Sequence, residues 1–111
     1  MFIYNWVKQQ YKNNIRKMYE YDWNDYHCLV VNSSYKGSKQ FEVVDNYKDY
    51  DLLVAWSFNG ERFEYCMYTT KPNINCGVLC KMYLNGGGHP GAAGGNSKKL
   101  VFGDFKGNKG F

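Results

Sequence analysis

Ile3, Val7, Tyr11, Ile15 and Met18 recur at near-helical spacing through the opening segment, with Lys8, Lys12 and Arg16 as a basic stripe beside them. This predicts an amphipathic, linker-like helix over residues 1–22 whose basic edge is solvated. YHCLVVN, Tyr26 to Asn32, is a nearly unbroken apolar run rich in valine, the pattern of a strand covered on both faces. From Ser38 to Tyr47, Phe41, Val44 and Tyr47 fall on one side of a short helix, and DLLVAWSF, from Asp51, reads as a second buried strand.

Asn59-Gly60 separates that strand from ERFEYCMYTT. Asn-Gly supplies the two φ > 0 residues of a type I′ turn, so a two-residue hairpin is expected. Along its second arm Phe63, Tyr65 and Met67 alternate with Arg62, Glu64, Cys66 and Tyr68, giving one apolar and one mixed face. Pro72 breaks the strand. NINCGVLCKMYL then carries Ile74, Val78, Leu79 and Met82 at helical spacing, with Asn73 as a plausible N-cap. KKLVFGDF reads as a last strand and residues 107–111 as a frayed tail. One hairpin plus helical crossovers implies an α/β domain of the α+β kind, a mixed sheet of about four to five strands with helices packed on it.

Composition narrows the function classes. A chain of 111 residues with 44% hydrophobic and 19% aromatic content suits one folded domain. The formal charge of +4 permits an anionic partner but falls short of a dedicated duplex-DNA binder. MFIYNWVKQQ lacks a basic leader followed by an apolar run, and no stretch reaches the ~20 apolar residues of a membrane span. A cytoplasmic protein with no membrane partner is expected. Cys28, Cys66, Cys76 and Cys80 then read as buried thiols, since their spacing with His27 and His89 matches no common zinc motif. Asp49-Tyr50-Asp51 is a lone D-x-D, more often a solvated strand end than a ligand pair.

NGGGHPGAAGG, Asn85 to Gly95, holds half of the chain's twelve glycines. Glycine weakens helix and strand interiors, so such a run needs positive φ, close backbone packing or close approach of a ligand. Gly86, Gly88 and Gly91 satisfy G-x-G-x-x-G, but a helix stands where the dinucleotide fingerprint needs a strand. No P-loop pattern occurs. What remains is a loop of exposed backbone N–H groups that favours phosphate or another anion. His89 adds an imidazole able to donate to phosphate or stack on a base. A helix capped by Gly86 and followed by a tight loop would explain one or two of these glycines, but explains a histidine among them poorly.

GGGHPGAAGG resembles the signature of the C-terminal, DHH-associated domain of the DHH phosphoesterases, a group that includes RecJ-type exonucleases, nano-RNases and exopolyphosphatase-related proteins. INCGVLCKMYLN resembles the helix leading into that motif, and DLLVAWSFNGERFEYCMYTT the hairpin before it. The resemblance implies a substrate-binding domain over residues 23–106 that closes over a cleft and holds nucleotide or phosphate through Gly86, Gly87, Gly88 and His89. Where many members place an anchoring arginine this chain has Tyr68, with Lys71 close by. The family's chemistry belongs to a separate N-terminal domain whose aspartates and histidines hold two metal ions, usually manganese. This chain has two histidines and no Asp-His-His, so neither a cofactor nor catalysis of its own is expected. Two readings follow: a module for nucleotides or short single-stranded RNA or DNA, working with a separate DHH domain or as a homodimer, and a free-standing interaction or regulatory protein of phage or mobile-element type that kept the fold.

Overall fold

The structure is a computed structural model and describes residues 18–34 and 37–103. Its frame is one mixed sheet of six strands: β1 (Tyr19–Trp23), β2 (Tyr26–Asn32), β3 (Leu52–Phe58), β4 (Phe63–Tyr68), β5 (Gly87–His89) and β6 (Ala92–Ser97). They lie in the order β1-β2-β3-β4-β6-β5. Only β2 and β3 run parallel, with Cys28 opposite Leu52 and Asn32 opposite Trp56; every other pair is antiparallel. The described residues include one α-helix, α1 (Cys76–Tyr83), and 3-10 turns at Ser38–Val43 and Tyr47–Asp49.

The two apolar runs become the parallel pair because both of their faces are covered. Cys28, Val30, Leu52, Val54 and Trp56 join Tyr65, Met67, Leu79, Cys80, Leu84 and Phe102 in a first core under α1. Leu29, Val31, Leu53 and Ala55 join Met18, Phe41 and Tyr50 in a second core on the opposite face, under the crossover from β2 to β3. The expected helix across that crossover is instead two 3-10 turns. Val44 takes an extended conformation, φ −93° and ψ 119°, and ends the first of them. A β-branched residue loses rotamer freedom in a helix, so the stop falls at a weak helix former.

Several other expectations are corrected. Residues 1–17 of the expected N-terminal helix lie outside the described residues, but Tyr19–Trp23 is a strand, so a boundary at residues 22 and 23 would fall inside the sheet. The turn with two positive-φ residues is Asn24-Asp25 (φ 50° and 68°), which joins β1 to β2. At Asn59-Gly60 only Gly60 has positive φ, 97°. The Asn59 side chain accepts from the N–H groups of Glu61 and Arg62 at 2.9 and 2.8 Å, which builds a four-residue loop, Asn59 to Arg62. The hairpin is there, with a different turn.

Residues 98–103 are not a strand. They pass over the first core and insert Phe102, fully buried against Trp23 and Tyr65. Tyr19 Oη donates to the Phe102 carbonyl at 2.7 Å and accepts from Trp56 Nε1 at 2.8 Å, so three distant segments are tied at one phenol. The strand expected there is the glycine run itself.

Candidate functional site

The helix leading into the glycine run starts later than Asn73. Asn75 is its cap, its side chain accepting from Val78 N–H at 3.1 Å. Cys76, Gly77, Leu79 and Cys80 are its buried side, while Val78 and Met82 are 49% and 65% exposed. Burial raises the Cys76 and Cys80 thiols to about 12 and about 11, so both stay protonated at neutral pH. Asn85, at φ 52°, is the left-handed residue that ends α1, a role expected of Gly86.

The glycine run folds as a hairpin, β5 and β6, turning at Pro90-Gly91. Two backbone bonds clamp its tip. Cys76 N–H donates to the Pro90 carbonyl at 2.8 Å, and Thr69 N–H to that of Gly91 at 3.2 Å. The start of α1 and the end of β4 thereby hold His89 in place.

The glycines divide by face. A Cβ on Gly86 would overlap the Gly94 carbonyl, and one on Gly95 would overlap Leu84 at the end of α1. A Cβ on Gly88 would meet the Ala93 Cα at 2.7 Å, and one on Gly77 the Gly88 carbonyl at 2.5 Å. Helix and hairpin approach so closely that only glycine fits. By contrast, a Cβ on Gly87 or Gly91 would meet nothing within 4 Å, and neither has positive φ. Gly88 is therefore a packing residue as well as a candidate ligand residue; Gly86 packs too, and its N–H donates to the Cys80 carbonyl at 3.1 Å, whereas Gly91 stands in open space.

Register places the remaining residues. Ala93 packs on the first core, so Ala92 and the residues aligned with it, His89 on β5 and Tyr68 on β4, lie toward the opposite face. On that face the row Gly87, Gly94, Cys66 comes next, then Asn96 opposite Glu64. Among the described residues the crossover covers β2 and β3 but leaves this half of the sheet open. A groove of about 270 Å³ runs along it, lined by Ser57, Glu64, Cys66, Gly94 and Asn96 among others. Gly94 and Gly95 contribute bare backbone to its lining.

Polar groups stand at one end of the groove and beyond the other. Beyond one end, in a row that does not line the groove itself, His89 is exposed, and Lys71, past the end of β4, lies 4.0 Å from Asp51. Tyr68 forms a wall more than an outward anchor. Its ring packs toward Phe41 at 6.3 Å, and burial, reinforced by Cys66, raises its pKa while a backbone hydrogen bond from Gly37 opposes the shift. At the other end Arg62 Nε donates to Asn96 Oδ1 at 2.7 Å, and Asn59 Nδ2 donates to Glu64 Oε2 at 2.9 Å. Arg62, Glu64 and Asn96 were not singled out as site residues from the sequence. Their signal was the mixed face of the hairpin's second arm, but the partner strand hid in a run read as loop.

A second polar cluster lies on β1 and β2. His27 is held between Glu20 Oε1 at 2.9 Å and Asp22 Oδ1 at 2.8 Å and stacks on Tyr50 at 4.9 Å. The Asp22 hydrogen bond leads the causes that raise its pKa. Asp51 accepts from the His27 backbone N–H at 2.9 Å, so the D-x-D aspartate is a structural acceptor at the entry to β3. Among the described residues no three His, Cys, Asp or Glu side chains are grouped to hold a metal ion. No described helix is long and apolar enough to cross a membrane.

No family model and no curated protein matches the chain. Solved structures do match its fold. An uncharacterised protein from Helicobacter pylori G27 is 20% identical, with a TM-score of 0.59 over 76% of this chain and 24% of its own. A pGpG-specific phosphodiesterase from Vibrio cholerae, PggH, is 17% identical, with a TM-score of 0.59 over 86% of this chain and 34% of its own. The chain thus spans about a quarter to a third of the length of these structures, and the likeness is one of fold.

Proposed function

We propose that the open face of the β4-β6-β5 half is a binding surface for nucleotides or short single-stranded nucleic acid, with His89 and the backbone of Gly87 and Gly88 taking a phosphate, since the Gly86 N–H already donates to the Cys80 carbonyl at 3.1 Å. The observation that carries this reading is the glycine backbone. Gly87 has room for a side chain and no backbone strain, yet carries none, in a hairpin whose tip, next to the exposed His89, is clamped at the Pro90 and Gly91 carbonyls. Bare backbone lets an anion approach N–H groups that a side chain would screen.

Two further facts support it. GGGHPGAAGG resembles the DHH-associated signature, and one of the structures sharing this fold is named as a phosphodiesterase of a dinucleotide. On this reading the chain is a substrate-recognition module, and hydrolysis requires a separate metal-holding DHH domain. The test is titration of the chain with GMP, AMP, short oligoribonucleotides and inorganic phosphate at two salt concentrations, for the native protein and His89→Ala. Weak, salt-sensitive binding lost in the variant is expected, a deficit of about 1–3 kcal/mol. Absence of binding by every probe refutes the proposal.

The alternative, a protein-interaction module, has one observation in its favour. Val78, Met82 and Tyr83 on α1 are about half exposed or more, on the side of the sheet away from the groove.

A further inference from the structure

The proposed phosphate site lies in the His89 row, beyond the groove, and leaves the groove's own polar end unused. There, Glu64 and Asn96 sit directly opposite each other on β4 and β6. Direct cross-strand partners hold their Cβ atoms about 4.5–5.5 Å apart, so the two side chains present one joint polar edge. Each is fixed by a neighbour. Asn59 Nδ2 donates to Glu64 Oε2 at 2.9 Å, and Arg62 Nε donates to Asn96 Oδ1 at 2.7 Å. The second contact uses the Asn96 amide oxygen and leaves its NH2 group as the donor. The first occupies one lone pair of a carboxylate that has about four acceptor sites. The edge therefore reads as two acceptors beside one donor.

We propose that this edge reads guanine. Among the nucleobases guanine alone presents two adjacent donors, N1–H and the N2 amino group, beside an acceptor, O6. The Glu64 carboxylate accepts both donors and Asn96 Nδ2 donates to O6. Adenine and cytosine place a ring acceptor where Glu64 needs a donor, and uracil has one donor between two acceptors. This inference rests on the proposed phosphate site, because that site and this edge must be spanned by one ligand. Four residues of strand, about 13 Å, and two strand spacings, about 9.6 Å, separate His89 from Glu64, about 16 Å in all. A hydrogen bond of about 3 Å at each end leaves roughly 10 Å, close to the reach from a nucleotide's phosphate to the far edge of its base. Gly87, Gly94 and Cys66 lie between, with little to obstruct a sugar.

The experiment is calorimetric titration of the full chain and Glu64→Gln with GMP, IMP, AMP and inorganic phosphate, beside thermal melting of both. IMP keeps O6 and N1–H but lacks the N2 amino group. The native chain is expected to favour GMP over IMP and AMP by about tenfold or more, as a bidentate base contact does. Glu64→Gln replaces an acceptor by a donor and should erase that preference, by weakening GMP and admitting AMP, with phosphate binding unchanged. Glu64 is exposed, so the variant should melt as the native chain does. If the native chain binds GMP and AMP alike, or Glu64→Gln keeps the preference, guanine reading is refuted and the phosphate site stands. If neither phosphate nor any nucleotide binds, both fall.

Discussion

Adding one methyl group to each glycine of the run separates packing from binding. Gly95→Ala places a Cβ into the Leu84 carbonyl and side chain at the point where α1 ends against β6. Leu84 is fully buried and Asn96 N–H donates to its carbonyl at 2.6 Å, so neither side yields without breaking a contact. Overpacking of this kind costs about 1–3 kcal/mol. For a domain of this size that lowers the melting temperature by about 4–8 °C per kcal/mol. Gly86→Ala meets the Gly94 carbonyl and should behave likewise. Gly87→Ala has open space and an ordinary φ, so it should be neutral or more stable by about 0.4–1 kcal/mol, through a less flexible unfolded chain. Yet Gly87 lies on the groove face, and there its methyl group should weaken phosphate binding. The assay is urea unfolding followed by tryptophan fluorescence, beside phosphate titration. If Gly87→Ala destabilises as much as Gly95→Ala, the assignment of the glycines to two faces is wrong.

Other outcomes are as concrete. Phe102→Ala should cost about 3–5 kcal/mol in urea unfolding, since it empties a fully buried site between Trp23 and Tyr65. Tyr19→Phe removes the donor to the Phe102 carbonyl and the acceptor for Trp56 Nε1, and should cost about 1–3 kcal/mol by the same measurement. His27 has its folded-state pKa raised, chiefly by Asp22. Its contribution to stability is present in full below the ordinary histidine value of about 6.5 and fades as pH rises through the folded value. Melting temperature measured across that window should lose this component in Asp22→Asn, and an unchanged profile would show that the ion pair is inert. Among the four thiols, Cys66 should react first with an alkylating reagent in the folded protein, since Cys28, Cys76 and Cys80 are buried; mass mapping of early adducts checks this.

The parallel pair was legible because burial on both faces leaves an unmistakable apolar run, and the β3-β4 hairpin because its second arm alternates. The glycine hairpin was not legible. Gly87, Gly88, Gly94 and Gly95 carry no side chain from which a period could be read, and their strand pairing is set by β4 alongside. Asn24-Asp25 was passed over because an Asn-Gly pair offered a stronger local signal, while Asn59 spent its side chain on two backbone amides. On α1 the apolar spacing was half right: Leu79 is buried, as are Cys76 and Cys80, but Val78 and Met82 are exposed, because the inward side is completed by Gly77 and the small thiols and not by large apolar residues. His89 drew notice because a histidine among glycines stands out, but Glu64 and Asn96 become neighbours only once the strand opposite β4 is known.

The sheet is also three locally closed pieces. β1 with β2, β3 with β4, and α1 with β5 and β6 each form from neighbouring residues. Two seams join them, and their shortest sequence spans are equal: Cys28 pairs with Leu52, and Tyr68 with Ala92, each 24 residues apart. Closing such a span costs about 1.6 kcal/mol more chain entropy than closing the four-residue turn between β3 and β4. The pieces should therefore gain protection against amide exchange before the seams do, and the transition state should lie at their docking. The proposed groove belongs to this late step, because its walls come from β4 and from β5-β6, on opposite sides of one seam. A chain that has folded each piece but not yet joined them has no groove.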